Sequence, residues 1–112
     1  MLIPLFRTHE LQDDAAKGIE VQGKQLFAVR KKGEIFLYWN RCPHIGTPLE
    51  WEKDKFLDTD KALIQCATHG ALFEIGSGRC LVGPCRGKHL KPVPFELADG
   101  TVSVAEAELL RG

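Results

Sequence analysis

Two short segments constrain this chain more than anything else in it: Cys42-Pro43-His44-Ile45-Gly46 and Cys66-Ala67-Thr68-His69-Gly70. Each offers one thiolate and one imidazole, spaced Cys-x-His in the first and Cys-x-x-His in the second. Together they supply four soft-to-borderline donors, a complete set for one metal centre. A fold that uses all four must bring the two segments to one point across the 21 residues between His44 and Cys66. Gly46 and Gly70 follow the two histidines closely. A residue without a Cβ lets the chain turn tightly there and lets backbone amides approach a bound group.

The rest of the chain reads as mostly β. Turn signals recur at short spacing with strand-like segments between them. Leu2–Phe6 is a candidate first strand, and Leu11–Ala16 is expected to hold a helical turn. Gly18–Val21 and Gln25–Val29 flank a turn centred on Gly23, and Glu34–Trp39 follows the Lys32-Gly33 turn. From Asn40 to Leu63 there is little alternation, and Glu50–Lys61 is dense in charge. Leu63–Gln65 and Ala71–Ile75 read as short strands around the second Cys/His segment, with a turn at Gly76-Ser77-Gly78. Val93–Leu97 and Thr101–Val104 flank Asp99-Gly100, the clearest hairpin signal, and Ala105–Leu110 suits a terminal turn of helix. The expected architecture is all-β, a small antiparallel sandwich or barrel carrying two loops rich in Cys, His, Gly and Pro.

Length and charge set outer limits. At 112 residues the expectation is a single domain, 1–112, with no internal repeat and no room for a second catalytic domain. Fifteen basic and fifteen acidic residues balance, so nothing in the charge points to nucleic acid as partner. The longest apolar runs fall far short of the ~18 residues that a membrane span needs. Met1–Phe6 is apolar, but Arg7, His9 and Glu10 follow at once, unlike a signal peptide. The expected compartment is the cytoplasm. There, four cysteines more often mean metal ligands or free thiols than a disulfide framework.

The two Cys/His motifs closely resemble the cluster-binding motifs of Rieske iron–sulfur proteins, in which two His replace two Cys on one iron of a [2Fe–2S] cluster. The resemblance extends through Asn40, Pro48-Leu49, Gly70-Ala71-Leu72-Phe73 and the Gly76–Gly78 turn. It also takes in Gly83-Pro84, which is similar to the proline-containing loop that covers the cluster in this family. It implies a Rieske-type fold with a cluster-binding part at about 40–87. It also implies that Cys42 and Cys66 hold the inner iron, and that His44 and His69 hold the outer one. The outer ring nitrogens would then face solvent or a partner, and their protonation would couple to reduction. The 21-residue gap is somewhat longer than expected of Rieske ferredoxins, with the extra length expected in Trp51–Lys61.

Within the family, the departures discriminate. The high-potential Rieske proteins of cytochrome bc complexes carry a disulfide between the loops, and the matching positions here are Thr47 and Thr68. Those proteins also place Ser and Tyr hydroxyls against the cluster and ligand sulfurs, where this chain has Ala71 and Phe73. Hydrogen bonds to sulfur stabilise the more negative, reduced cluster, so their loss implies the low end of the range, nearer roughly −150 mV than +300 mV. A Rieske oxygenase is excluded, because its separate mononuclear iron needs two further His and a carboxylate. Only His9 and His89 remain, and both are expected at the surface.

The resemblance thus implies a ferredoxin-type, one-electron carrier without catalysis of its own, passing electrons from a reductase to a terminal oxygenase or similar acceptor. Two other readings stand beside it: a cluster-bearing small subunit of a larger reductase, similar to nitrite reductase small subunits, and a zinc-stapled interaction module. Cys80 and Cys85 are expected to be two ordinary small residues rather than a bridge. Trp39 and Trp51 are expected to pack rather than relay electrons. Arg79, Arg86, Lys88 and Lys91 lie in a stretch without acids, which suits either an acidic redox partner or plain solvation.

Overall fold

The computed structural model describes residues 1–41, 49, 55–58, 60–66 and 70–111. Nine strands and one short helix appear among them: β1 (Leu2–Arg7), β2 (Ala15–Val21), β3 (Lys24–Lys31), β4 (Glu34–Trp39), β5 (Leu63–Gln65), β6 (Leu72–Glu74), β7 (Cys80–Val82), β8 (Glu96–Ala98), β9 (Thr101–Ala105) and α1 (Glu106–Arg111). They form three three-stranded sheets, ordered β1-β9-β8, β2-β3-β4 and β5-β6-β7, and every pairing is antiparallel. The all-β expectation holds. The helical turn differs from its expected place: a 3-10 turn occupies Thr8–Glu10, and Ala15 already belongs to β2. There the Arg7 amide donates to Glu10 Oε1 at 2.7 Å, so the acid that fixes this turn lies before the expected segment.

Three X-Gly dipeptides make the tight hairpins. Gln22-Gly23, Lys32-Gly33 and Asp99-Gly100 all have positive φ at both central residues, from 50° to 80°. That is the twist a two-residue hairpin needs to match its strands. The β2-β3-β4 sheet lies between two cores, and the middle of its central strand is buried on both faces. Its central strand reads Leu26-Phe27-Ala28-Val29, and all four are buried. Because side chains alternate across a strand, Leu26 and Ala28 join one core and Phe27 and Val29 another. On β4, Leu37 and Trp39 join the first core and Tyr38 the second.

The first core, called here the basal core, lies between this sheet and β1-β9-β8. Phe6, Val102, Val104 and Leu109 complete it. The second, the upper core, lies between the sheet and β5-β6-β7. It contains Leu49, Phe56, Ile64, Phe73 and Leu90 together with Cys66, Cys80 and Cys85. Phe56 stacks on Phe27 with ring centroids 4.5 Å apart and planes 7° from parallel. The segment after the upper sheet returns along β4, where the Trp39 amide donates to the Lys91 carbonyl and the Val93 amide to the Leu37 carbonyl, both at 2.9 Å.

Candidate metal centre

The second Cys/His segment begins where β5 ends. The Cys66 amide donates to the Ala71 carbonyl at 2.8 Å, and the Gly70 amide donates back to the Cys66 carbonyl at 2.8 Å. These two bonds close the neck of a tight loop between β5 and β6. Gly70 has φ +68°, a left-handed conformation that favours glycine. The neck holds Cys66 in the upper core with no exposed surface.

The first segment leaves from β4. Asn40, a buried polar side chain, stands at its start, and its amide donates to the Gln25 carbonyl at 3.0 Å. Its side-chain Oδ1 accepts the amide hydrogen of Leu49 at 2.9 Å. One side chain therefore ties the residue before the loop to a buried residue after it. This bond joins the described residues on either side of the first Cys/His segment, as the backbone bonds join Cys66 to Gly70 and Ala71. Sequence reasoning included Asn40 in the family resemblance without giving it a task. Its signal was a lone amide between an apolar strand and a Pro/Gly-rich loop. Beside it, the Arg41 guanidinium lies 5.1 Å from the centroid of the Trp39 ring, and Trp39 itself packs in the basal core, as expected.

A third loop lies against the second. At Gly83 φ is +109°, and a Cβ built there would stand 2.8 Å from the Ala71 Cα. Only a glycine backbone can come this close, so the Gly83-Pro84 loop sits directly on the neck residue after Gly70. Behind the site, Tyr38 crosses the upper core and donates its hydroxyl hydrogen to the Ile75 carbonyl at 2.5 Å. Burial, aided by the charge of Glu74, pushes its phenol up to about 12.

Of the four expected ligands, Cys66 is placed in the buried neck just described. Cys42, His44 and His69 lie outside the described residues, as do Thr47, Thr68 and Trp51. Ala71 and Phe73 are both buried in the upper core, and neither side chain carries a hydroxyl. His9 and His89 are exposed, as expected. Arg79, Arg86, Lys88 and Lys91 are exposed too, and they share their stretch with the exposed apolar side chains Leu81 and Val82. Cys80 and Cys85 form no disulfide and are buried side by side with their sulfurs 2.9 Å apart. The residues present fit an iron–sulfur group. A fully buried thiol stands at a glycine-closed neck, the Asn40–Leu49 bond joins the two sides of the segment that carries the other Cys/His pair, and the Gly83-Pro84 loop lies against the neck at Ala71.

The family model for the Rieske [2Fe-2S] domain matches residues 1–104. The chain belongs to the Rieske [2Fe-2S] domain family. It is 27% identical over 96 residues to the ferredoxin component of the naphthalene 1,2-dioxygenase system of Pseudomonas aeruginosa, a match that covers 86% of each chain. Its fold is similar to that of a Sphingomonas yanoikuyae B1 ferredoxin, with a TM-score of 0.76 and 24% identity over 95% of this chain and 99% of the other. It is also similar to part of the terminal oxygenase of carbazole 1,9a-dioxygenase from Nocardioides aromaticivorans IC177. There the TM-score is 0.75 and the identity 25%, and the match covers 92% of this Rieske chain but only 29% of the oxygenase. The likeness to the ferredoxins therefore runs the length of both molecules, while the likeness to the oxygenase stops at one part of it. No helix among the described residues is long and apolar enough to cross a membrane.

Proposed function

We propose that this protein is a one-electron carrier of the ferredoxin type, a single Rieske domain over 1–112, with Cys42, His44, Cys66 and His69 as the ligands of its cluster. The full-length match to ferredoxin components carries this reading. When bound, a Rieske [2Fe–2S] cluster supplies one reversible electron at a potential that its surroundings tune. The chain's own work is to hold it, shield it and present it.

Each residue of the neck has a part in that work. Cys66 gives a thiolate from a position without solvent, which favours its bond to iron over hydrolysis. Asn40 ties the two sides of the first segment and Gly70 closes the neck of the second, which would let Cys42 with His44, and Cys66 with His69, serve as two pairs. Gly83 lets the third loop lie close and exclude water. Ala71 and Phe73 offer no hydroxyl to sulfur, which places the potential at the low end of the Rieske range, nearer roughly −150 mV than +300 mV. As ligands, His44 and His69 would take up protons at their outer ring nitrogens more readily in the reduced state, because an added electron favours holding a proton nearby.

The donor is a reductase and the acceptor a terminal oxygenase of a ring-hydroxylating type, met in the cytoplasm through small, transient contacts. The protein has no catalytic step of its own. The test is reconstitution. Purified without air and reduced by a flavin-dependent reductase, the protein takes up one electron per chain, and a Rieske oxygenase reoxidises it. Firm co-purification with a large reductase subunit would favour the small-subunit reading instead, and a protein that accepts no electron after reconstitution would overturn the carrier.

A further inference from the structure

Cys80 and Cys85 are not among the expected ligands, and the electron-carrier reading leaves them without a task. Cys80 opens β7 and Cys85 lies five residues on, at the far side of the Gly83-Pro84 loop. Both are buried, while Leu81, Val82, Gly83, Pro84, Arg86, Gly87, Lys88 and His89 are exposed. The loop is thus a surface feature whose buried anchors are two thiols.

The backbone holds these thiols together. The Cys80 amide donates to the Lys88 carbonyl at 2.9 Å, and the Lys88 amide donates to the Cys85 carbonyl at 2.8 Å. The Arg86 amide closes the turn on the Gly83 carbonyl at 3.2 Å. Sulfur thereby meets sulfur at 2.9 Å. A disulfide bond is about 2.05 Å long, so closing one asks for a shift of under an ångström across a frame already in place. Two merely small core residues would need no such frame.

We propose that Cys80 and Cys85 form a reversible dithiol/disulfide couple that locks the Gly83-Pro84 loop onto Ala71. The oxidant is a low-molecular-weight disulfide such as oxidised glutathione. One thiolate attacks it, forming a mixed disulfide and releasing one glutathione thiolate. The second cysteine thiolate then attacks the mixed disulfide, forming the Cys80–Cys85 bond and releasing a second glutathione. The protein pair loses two electrons and two protons, and the two glutathione thiols gain them. The exposed residues beside both sulfurs give the route in, since outward movement of this loop brings a sulfur to solvent. The couple acts on the loop that touches the Cys66 neck, and its chemistry needs no bound cluster.

The test uses the holoprotein, equilibrated without air in graded mixtures of reduced and oxidised glutathione, then acid-quenched, unfolded, alkylated and digested with trypsin without reductant. Cleavage after Arg79 and Arg86 releases one peptide that carries both sulfurs and no expected ligand. The expected result is a transition from the doubly alkylated peptide to one that carries no alkyl group and is two hydrogens lighter than the free dithiol peptide, reversed by dithiothreitol. In the same samples, amide exchange between Leu81 and Gly87 slows by about tenfold or more in the oxidised form. In Cys85→Ser, Cys80 stops at a glutathione adduct. A wild-type peptide that stays doubly alkylated throughout, or stops at one adduct, overturns the couple. Unchanged amide exchange in the oxidised form overturns the lock.

Discussion

On one face of the β2-β3-β4 sheet, Leu26, Ala28, Leu37 and Trp39 meet Phe6, Val102, Val104 and Leu109. On the other, Phe27, Val29 and Tyr38 meet Phe56, Phe73, Leu49 and three cysteines. The basal core rests on strands of three to eight residues, in ladders such as Ala15 against Arg30 through Val21 against Lys24. Opposite the shared sheet, the upper core rests on strands of only three residues. Regular ladders satisfy backbone groups by repetition. The upper core satisfies its own one at a time, through Asn40 on the Leu49 amide and Tyr38 on the Ile75 carbonyl. The difference separates a part that folds by pattern from a part that folds around a site. It also implies that the upper core draws stability from its metal group, because ligand binding to the native state alone adds to folding free energy.

The largest effect expected to separate the two cores is the loss of a proposed ligand. Cys66→Ser is expected to abolish the visible colour and the Rieske signal while the basal strands persist by circular dichroism. Loss of all β signal would show that the two cores are one cooperative unit. Next come the paired truncations Phe56→Ala and Leu109→Ala. Each deletes a fully buried side chain, one from each core. Phe→Ala costs ~3–5 kcal/mol and Leu→Ala ~2–5 kcal/mol in denaturant unfolding. Only Phe56→Ala should also speed the loss of iron, measured by chelator competition, and equal iron loss in both would erase the distinction.

Smaller effects test the clamps. Asn40→Ala leaves the Leu49 amide without its side-chain partner, at a cost of ~1–3 kcal/mol. Gly83→Ala forces a Cβ against Ala71 at 2.8 Å and a left-handed φ on alanine. It is expected to cost ~1–3 kcal/mol and to shift the reduction potential, read by voltammetry. The smallest test concerns Tyr38, the only tyrosine, so its titration is unambiguous. Burial raises its pKa to about 12 in the fold, against about 10 when unfolded. The native state therefore holds this proton more tightly. The associated stability is complete below pH about 10 and is lost as pH rises through about 12. Phenolate absorbance of the native protein should show a midpoint near the higher value, and a midpoint near the lower would place the ring in water.

The basal core was largely legible in the sequence. The X-Gly turns marked three hairpins, and Glu34–Trp39 stands where the Lys32-Gly33 turn and its β-forming residues put it; in the upper sheet Leu63–Gln65 was legible too. What escaped was β7, because Cys80–Val82 is a three-residue strand without alternation, defined by pairing with β6 rather than by its own pattern. The helical turn at Thr8–Glu10 escaped because a side-chain-to-backbone bond sets it, not periodicity. The Cys/His spacing announced the site's chemistry, but nothing local announced that Cys80 and Cys85 would meet. That contact comes from the Lys88 bonds to both residues, which only the folded loop provides.

The central claim is a mixed His/Cys cluster of low potential, and a potentiometric titration followed by EPR of the reduced protein, purified without air, tests it most directly. The account predicts one Rieske-type signal per chain, appearing at a potential nearer roughly −150 mV than +300 mV. A colourless protein with stoichiometric zinc, remaining so after iron–sulfur reconstitution, would contradict it, as would a Rieske signal that appears only near the upper limit.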